Sequence, residues 1–197
     1  MLTKTELKIL KLFASSLGRK FSINEISKSL GISYTLAYNS TSRMLQFGLI
    51  SKDEKKFLSA KLDKNYADFA YAEAERSRDF LKKNSVVAVF LSDILSRLGQ
   101  EYFTLLVFGS SVSKEKYNDI DLLLIVPTEV DVLPAEKISM NIADNFSTEF
   151  HINVISVESV NEMLGKRKEA NVMNETLNNH IVLFGAENYY RMVSNVR

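Results

Sequence analysis

The sequence predicts an α/β (α+β) chain in two parts: a small basic helical module closed by a β-hairpin, then a mixed β-sheet flanked by helices. Three observations carry this. Leu105 to Val126 reads LLVFGSSVSKEKYNDIDLLLIV, two apolar strand-type runs joined by a polar loop. The first 64 residues place short amphipathic segments behind Ser/Thr caps and glycine stops, ahead of a lysine-rich turn. Charge divides at the same place. Residues 1–64 hold 12 Lys/Arg against 5 Asp/Glu, net +7, and the remainder holds 13 against 19, net −6. A basic segment joined to an acidic one points to two modules with different partners.

In chain order, Thr3 or Thr5 can cap a first helix that runs to about Leu17, with Leu7, Leu10, Leu12 and Phe13 at helical spacing and Gly18 as a stop. Ser22 caps a short second helix, with Glu25 three positions on in a capping box; Ile23, Ile26 and Leu30 form its apolar side. Gly31-Ile32-Ser33 turns the chain, and Ser33 caps a third helix through about Phe47. Two strand-like pieces follow, Leu49 to Lys52 and Phe57 to Leu62, with Asp53 and Glu54 in the turn between them. Residues 65–84 are rich in helix formers and lack Gly and Pro, so a connecting helix is expected, with Tyr66, Phe69, Ala70, Phe80 and Leu81 as a partial apolar stripe. Residues 85–197 then give an apolar helix (Ser85 to Leu98), the two strands, and a helix opened by Pro134 and running to about Phe146. A strand over Phe150–Val157, a helix from about Val160 to Leu177 and a last strand Ile181–Phe184 complete the order.

Composition narrows the chemistry. The chain has 197 residues and no cysteine, which excludes disulfides, thiolate catalysis and cysteine-bound zinc. No apolar run approaches the roughly 20 residues that span a bilayer, and MLTKTELKILKLF is an amphipathic start rather than a signal peptide, so no membrane partner and a cytoplasmic location are expected. The two histidines, His151 and His180, are too few and too separated to make a metal site by themselves; His180 opens an apolar strand and reads as structural. Scattered methionines read as core filler, and the Lys166-Arg167-Lys168 triplet as a solvated face or a hold on a polyanion.

The chemistry-bearing residues sit where the two central strands meet. Side chains alternate along a strand, so Asp119 and Asp121 project from one face. Like carboxylates that close repel unless a cation lies between them, and oxygen ligands of that charge suit Mg²⁺. Gly109-Ser110, at the end of the preceding strand, lets backbone N–H groups and a hydroxyl approach an anion. On the later strand, alternation puts Glu149, His151 and Asn153 on one face and Phe150, Ile152 and Val154 on the other.

Strand, Gly-Ser, short loop and Asp-x-Asp opening the next strand resembles the DNA polymerase β-type nucleotidyltransferase superfamily, in particular its small stand-alone members, over about the second half of the chain. HIVLFGAENYY (His180 to Tyr190) is similar to the closing strand and turn of such domains. The resemblance implies that Asp119 and Asp121 bind Mg²⁺ carrying a nucleoside triphosphate and that Gly109, Ser110 and Ser111 hold its phosphates. An acceptor would then attack the α-phosphate, with Glu149, or failing it His151, as the third ligand or base. The loop is shorter than usual for the family and lacks the Arg-Gly that often follows the serine; Ser113, Lys114 and Lys116 stand there instead. The third acid is Glu149, is replaced by His151, or is absent.

The first half resembles a winged helix-turn-helix domain through FSINEISKSLGISYTLAYNSTSRMLQFGLI. That resemblance implies double-stranded DNA as partner. Tyr34, Thr35, Tyr38, Asn39, Ser42 and Arg43 of the third helix would face the major groove, with Leu36, Ala37, Met44 and Leu45 packed inward, and Lys52, Lys55 and Lys56 would lie on phosphates. Two functions stay open. One is a nucleotidyltransferase. The other is a DNA-binding transcriptional regulator whose second half is a non-catalytic sensor or dimerisation body, in which case a homodimer is expected.

Overall fold

Reciprocal side-chain caps fix where the first helices begin. In the computed structural model, which describes residues 2–99, 102–114, 117–166 and 171–194, Thr3 and Glu6 form a capping box at the start of α1 (Lys4–Ser15), and Ser22 and Glu25 form another at α2 (Ile23–Leu30). Gly31 ends α2 in the left-handed region (φ 62°), and Ser33 Oγ accepts from the Leu36 N–H to open α3 (Tyr34–Gln46). An antiparallel hairpin follows, β1 (Ile50–Lys52) against β2 (Leu58–Ala60), and Phe21 bridges to Leu58 as a short third strand. α1 stops at Ser15, two residues before the expected Leu17. The Leu17 N–H turns away to donate to the Leu177 carbonyl, and Gly18 N–H donates to Asn178 Oδ1. The N-terminal segment is thereby tied to the far end of the chain.

α4 (Tyr66–Lys83) and α5 (Ser85–Arg97) lead into β3 (Thr104–Phe108). The one-turn α6 (Ser110–Ser113) then precedes β4 (Asp119–Val126), α7 (Val132–Ala143) and β5 (Glu149–Ser156). The chain closes with α8 (Val157–Gly165), α9 (Val172–Thr176), β6 (His180–Phe184) and α10 (Ala186–Ser194). The four long strands form a mixed sheet ordered β5-β4-β3-β6, antiparallel except for the parallel β4–β5 pair. The molecule is therefore a mixed α+β protein with a small hairpin and one four-stranded sheet.

Alternation along the strands gives the sheet two buried faces. Leu105, Val107, Leu122, Leu124 and Ile181 meet α5 and α7. Leu106, Phe108, Leu123, Ile125 and Val182 share a cluster with Val160, Tyr189, Tyr190 and Phe69, and that cluster continues into Ile9, Phe13 and Met44 of the first helices. The basic N-terminal part and the sheet are thus cemented by one continuous apolar core, with α4 between them.

Four local expectations change. Leu36 is exposed: α3 buries Ala37, Ser40, Thr41 and Met44, a narrow stripe on which Leu36 does not fall. The single helix expected from Val160 to Leu177 is two, because α8 ends at Gly165 and Asn171 Oδ1 accepts from Asn174 N–H to begin α9. α7 begins at Val132 and ends at Ala143, so Pro134 falls within its first turn rather than opening it, where its missing N–H costs nothing. α10 was not foreseen; Tyr189, Tyr190 and Val193 give it a buried side under the sheet. Arg167, Lys168 and Lys116 lie outside the described residues.

Candidate functional site

β4 and β5 run parallel with Asp119 opposite Glu149, Asp121 opposite His151 and Leu123 opposite Asn153. That register brings the His151 ring across to both aspartates. His151 Nδ1 lies 3.4 Å from Asp119 Oδ2 and 3.4 Å from Asp121 Oδ1, and Nε2 lies 3.1 Å from Glu149 Oε1. Asp119, Asp121 and His151 each present one ligand atom within 4.8 Å of the others. Two donors on one ion at about 2.1 Å stand roughly 3.0–3.4 Å apart in octahedral or tetrahedral geometry, so the two His151–aspartate separations suit ligands shared by one divalent ion. Hydrogen bonding to Glu149, more than the two aspartates, raises the His151 pKa above the ordinary imidazole value.

The Gly109 corner serves the aspartate directly. Gly109 has φ 72°, and a Cβ there would come within 2.4 Å of Asp121 Oδ2. Only glycine leaves room for that carboxylate. Asn179 Nδ2 donates to the Gly109 carbonyl at 2.7 Å and pins the corner to the turn before β6. Beside Asp121 opens a cavity of about 680 Å³ lined by Phe108, Asn153, Asn171, Val172, Asn174 and Glu175, within the usual range for a ligand site.

The expected residues divide by location. Asp119 and Asp121 converge at the mouth of β4, and Ser110 lies half-exposed at the corner. Ser111 is buried, and its hydroxyl donates to the Phe108 carbonyl, so it fastens α6 and does not face a ligand. Glu149 lies at the exposed rim and reaches His151 rather than standing in the trio; the ring fills the place beside Asp121. The sequence places Asn153 on the site face, but Asn179 draws no attention there. Asn153 follows from strand alternation beyond His151, whereas nothing local marks Asn179.

In the first part, Tyr34, Thr35, Tyr38 and Asn39 are exposed along α3 and Ser42 is half-buried. Arg43 is engaged: its Nε lies 3.3 Å from Oε1 of the buried Glu6, off the line of a hydrogen bond. Tyr34 and Tyr38 form a near-parallel ring pair, and they line a groove with Ser22, Ile23, Asn24, Lys52, Lys55 and Lys56.

A buried polar network joins the parts. Glu73 of α4 accepts from Val182 N–H, from the Tyr190 hydroxyl and from Arg76, whose second nitrogen donates to the His180 carbonyl. Burial drives the His180 pKa down to about 4, against an opposing pull from Glu73. Burial likewise raises Tyr190 well above the usual phenol value. No helix among the described residues is long and apolar enough to cross a membrane. Family models, curated proteins and solved structures were each compared with the chain, and none gives a significant match.

Proposed function

We propose that the chain is a divalent-metal-dependent nucleotidyltransferase of the DNA polymerase β type, carrying a winged helix-turn-helix that holds nucleic acid. The single observation that supports this most is the convergence of Asp119, Asp121 and His151 beside the glycine corner and an open cavity. A divalent ion held by those three side chains would neutralise triphosphate charge and template an in-line displacement. The asparagines of the cavity, Asn153, Asn171 and Asn174, offer amide donors and acceptors to a sugar or base, and the half-exposed Ser110 at the glycine corner offers a hydroxyl to phosphate. An acceptor hydroxyl then bonds to the α-phosphorus, the bridging P–O bond breaks, and pyrophosphate leaves. Glu149, exposed at the rim, takes the hydroxyl proton. Mg²⁺ suits the two carboxylates, while the imidazole favours Mn²⁺ by ligand softness.

The test is transfer of label from an α-labelled nucleoside triphosphate to RNA, DNA or protein, with Mg²⁺ and Mn²⁺ in parallel. Asp119→Ala and Asp121→Ala are each expected to lower transfer at least about 100-fold. Wild-type rates in both variants would dismiss the assignment. One observation favours a second reading: an imidazole stands beside Asp121 where the resembled enzymes carry a third carboxylate. On that reading the chain is a DNA-binding transcriptional regulator whose sheet half senses a metal or nucleotide without chemistry. Saturable metal and nucleotide binding with no transfer under any condition would select it.

A further inference from the structure

Winged helix-turn-helix modules ordinarily enter the major groove of a duplex and read base edges, for which cationic and amide side chains on the third helix are the tools. α3 exposes the amides of Asn39 and Gln46 but is poor in cations. Arg43 is its only cation, and the buried Glu6 carboxylate holds its guanidinium. What α3 exposes at its start is aromatic. Tyr34 is 55% and Tyr38 51% exposed, and their rings lie 21° from parallel with centroids 6.5 Å apart. That separation is at the long end for a ring pair and close to twice the roughly 3.4 Å interval between stacked bases. A base plane can lie against the exposed ring faces.

The surroundings complete a slot. The wing brings Lys52, Lys55 and Lys56 to the opposite wall, where Lys56 sits in the left-handed region at φ 67°. Of the two acids in the turn, Asp53 is taken up by Lys20 at 2.7 Å and by the Phe57 N–H, while Glu54 is exposed beside Lys55. The groove has a volume of about 440 Å³, of the order of a small ligand site. Aromatic faces that take any base, opposite a row of cations that follows the backbone, are the chemistry of single-strand binding.

We propose that the groove between α3 and the wing binds an unpaired nucleic-acid strand, with a base stacked on Tyr34 and Tyr38 and the flanking phosphates on Lys52, Lys55 and Lys56. This rests on the reading of the N-terminal module as a nucleic-acid binder and replaces its duplex partner with a single-stranded one. It also supplies the transferase with an acceptor class, a strand end. Ring stacking and phosphate contacts do not distinguish the sugars, so RNA and DNA strands of one sequence are expected to bind alike.

The experiment is fluorescence anisotropy on the full chain with an end-labelled, unstructured 12-mer as DNA and as RNA, and with its blunt duplex, over a salt series. Both single strands are expected to bind at least about ten times tighter than the duplex. Tyr34→Ala/Tyr38→Ala is expected to weaken single-strand binding about 10-fold or more and to leave the duplex unchanged. The Lys52→Gln/Lys55→Gln/Lys56→Gln variant should weaken both and flatten the salt slope. All five side chains are exposed, and unchanged urea unfolding shows that the variants fold. Duplex binding equal to or tighter than single-strand binding, or tyrosine substitution without effect, overturns the proposal. The first of these results leaves the DNA-binding regulator standing, and no binding to any of the three probes removes the nucleic-acid reading altogether. None of the outcomes depends on the Asp119 and Asp121 transfer assay.

Discussion

The sheet edge and the N-terminal groove place charge in opposite ways. At the edge, three acids and a histidine are pressed together by strand register, and Asp121 leans on a glycine that no other residue could replace. In the groove, exposed lysines stand on a hairpin, and the tyrosines lie on a helix started by the Ser33 cap. The first arrangement gathers like charges around one imidazole; the second is open. A site that must assemble like charges requires a rigid frame, whereas one that collects a polyanion needs only display. Substitutions that loosen the frame should therefore injure the edge far more than the groove.

The largest effect is expected at the joint between them. Glu73 is fully buried and satisfied by Val182 N–H, Tyr190 and Arg76. Glu73→Ala strands the Arg76 charge and unpairs a strand N–H and a phenol, a loss of about 3–5 kcal/mol in unfolding free energy by urea titration. A loss below about 1 kcal/mol would mean that α4 does not bind the two parts through this network.

His180 gives a pH signature of the same joint. Its folded pKa of about 4 lies below the ordinary 6.5, so the unfolded chain binds the extra proton between those values. Stability from this group is complete above pH 6.5 and falls as pH drops toward 4, by about 3 kcal/mol in all. Urea midpoints measured from pH 7 to pH 4.5 should decline, and the decline should shrink in His180→Gln. An identical slope in the variant would assign the acid sensitivity elsewhere.

How far the chain could be read in advance follows the same division. Period-two alternation in β4 and β5 and the Ser-x-x-Glu box of α2 are local patterns, and they yielded the strand faces and the helix start directly. The aspartates of the site were legible for that reason. Its third member was not, because choosing between Glu149 and His151 depends on a parallel register between strands 30 positions apart. Buried Glu73 drew no reading from the sequence, since Val182 and Tyr190, which fix it, lie more than 100 residues away. Ser111 looked like a phosphate ligand, and only the turn of α6 directs its hydroxyl back to Phe108. α10 was hidden by a tyrosine pair that reads equally well as the end of a strand.

Two glycines with left-handed φ sharpen the contrast at a smaller scale. Gly109→Ala meets both an unfavourable φ of 72° and the Asp121 carboxylate at 2.4 Å, whereas Gly31→Ala, at φ 62°, meets open space. Each should cost about 1 kcal/mol from backbone strain, with up to about 2 kcal/mol more at Gly109. Only Gly109→Ala should also weaken Mn²⁺ binding, followed by calorimetry. Equal metal affinity in both variants would show that Asp121 tolerates displacement and that the corner does not frame the ion.

The smallest effect concerns Arg43, which the sequence placed among the DNA contacts. If its main task is to face the buried Glu6, then Arg43→Ala leaves that carboxylate without its cation. Unfolding free energy should fall by about 1–2 kcal/mol, the cost of a buried, unmatched carboxylate oxygen. Lys52→Ala, on the exposed wing, should leave stability within about 0.5 kcal/mol and act on nucleic-acid affinity alone. Joint removal of the pair in Glu6→Gln/Arg43→Ala should recover part of the loss, because the buried group is then neutral. A destabilised Arg43→Ala that still binds each probe as the wild type does would fix arginine as scaffold and leave recognition to the tyrosines. If Arg43→Ala instead keeps full stability and loses duplex binding, the guanidinium reads nucleic acid after all, and the groove's single-strand preference has to be measured without it.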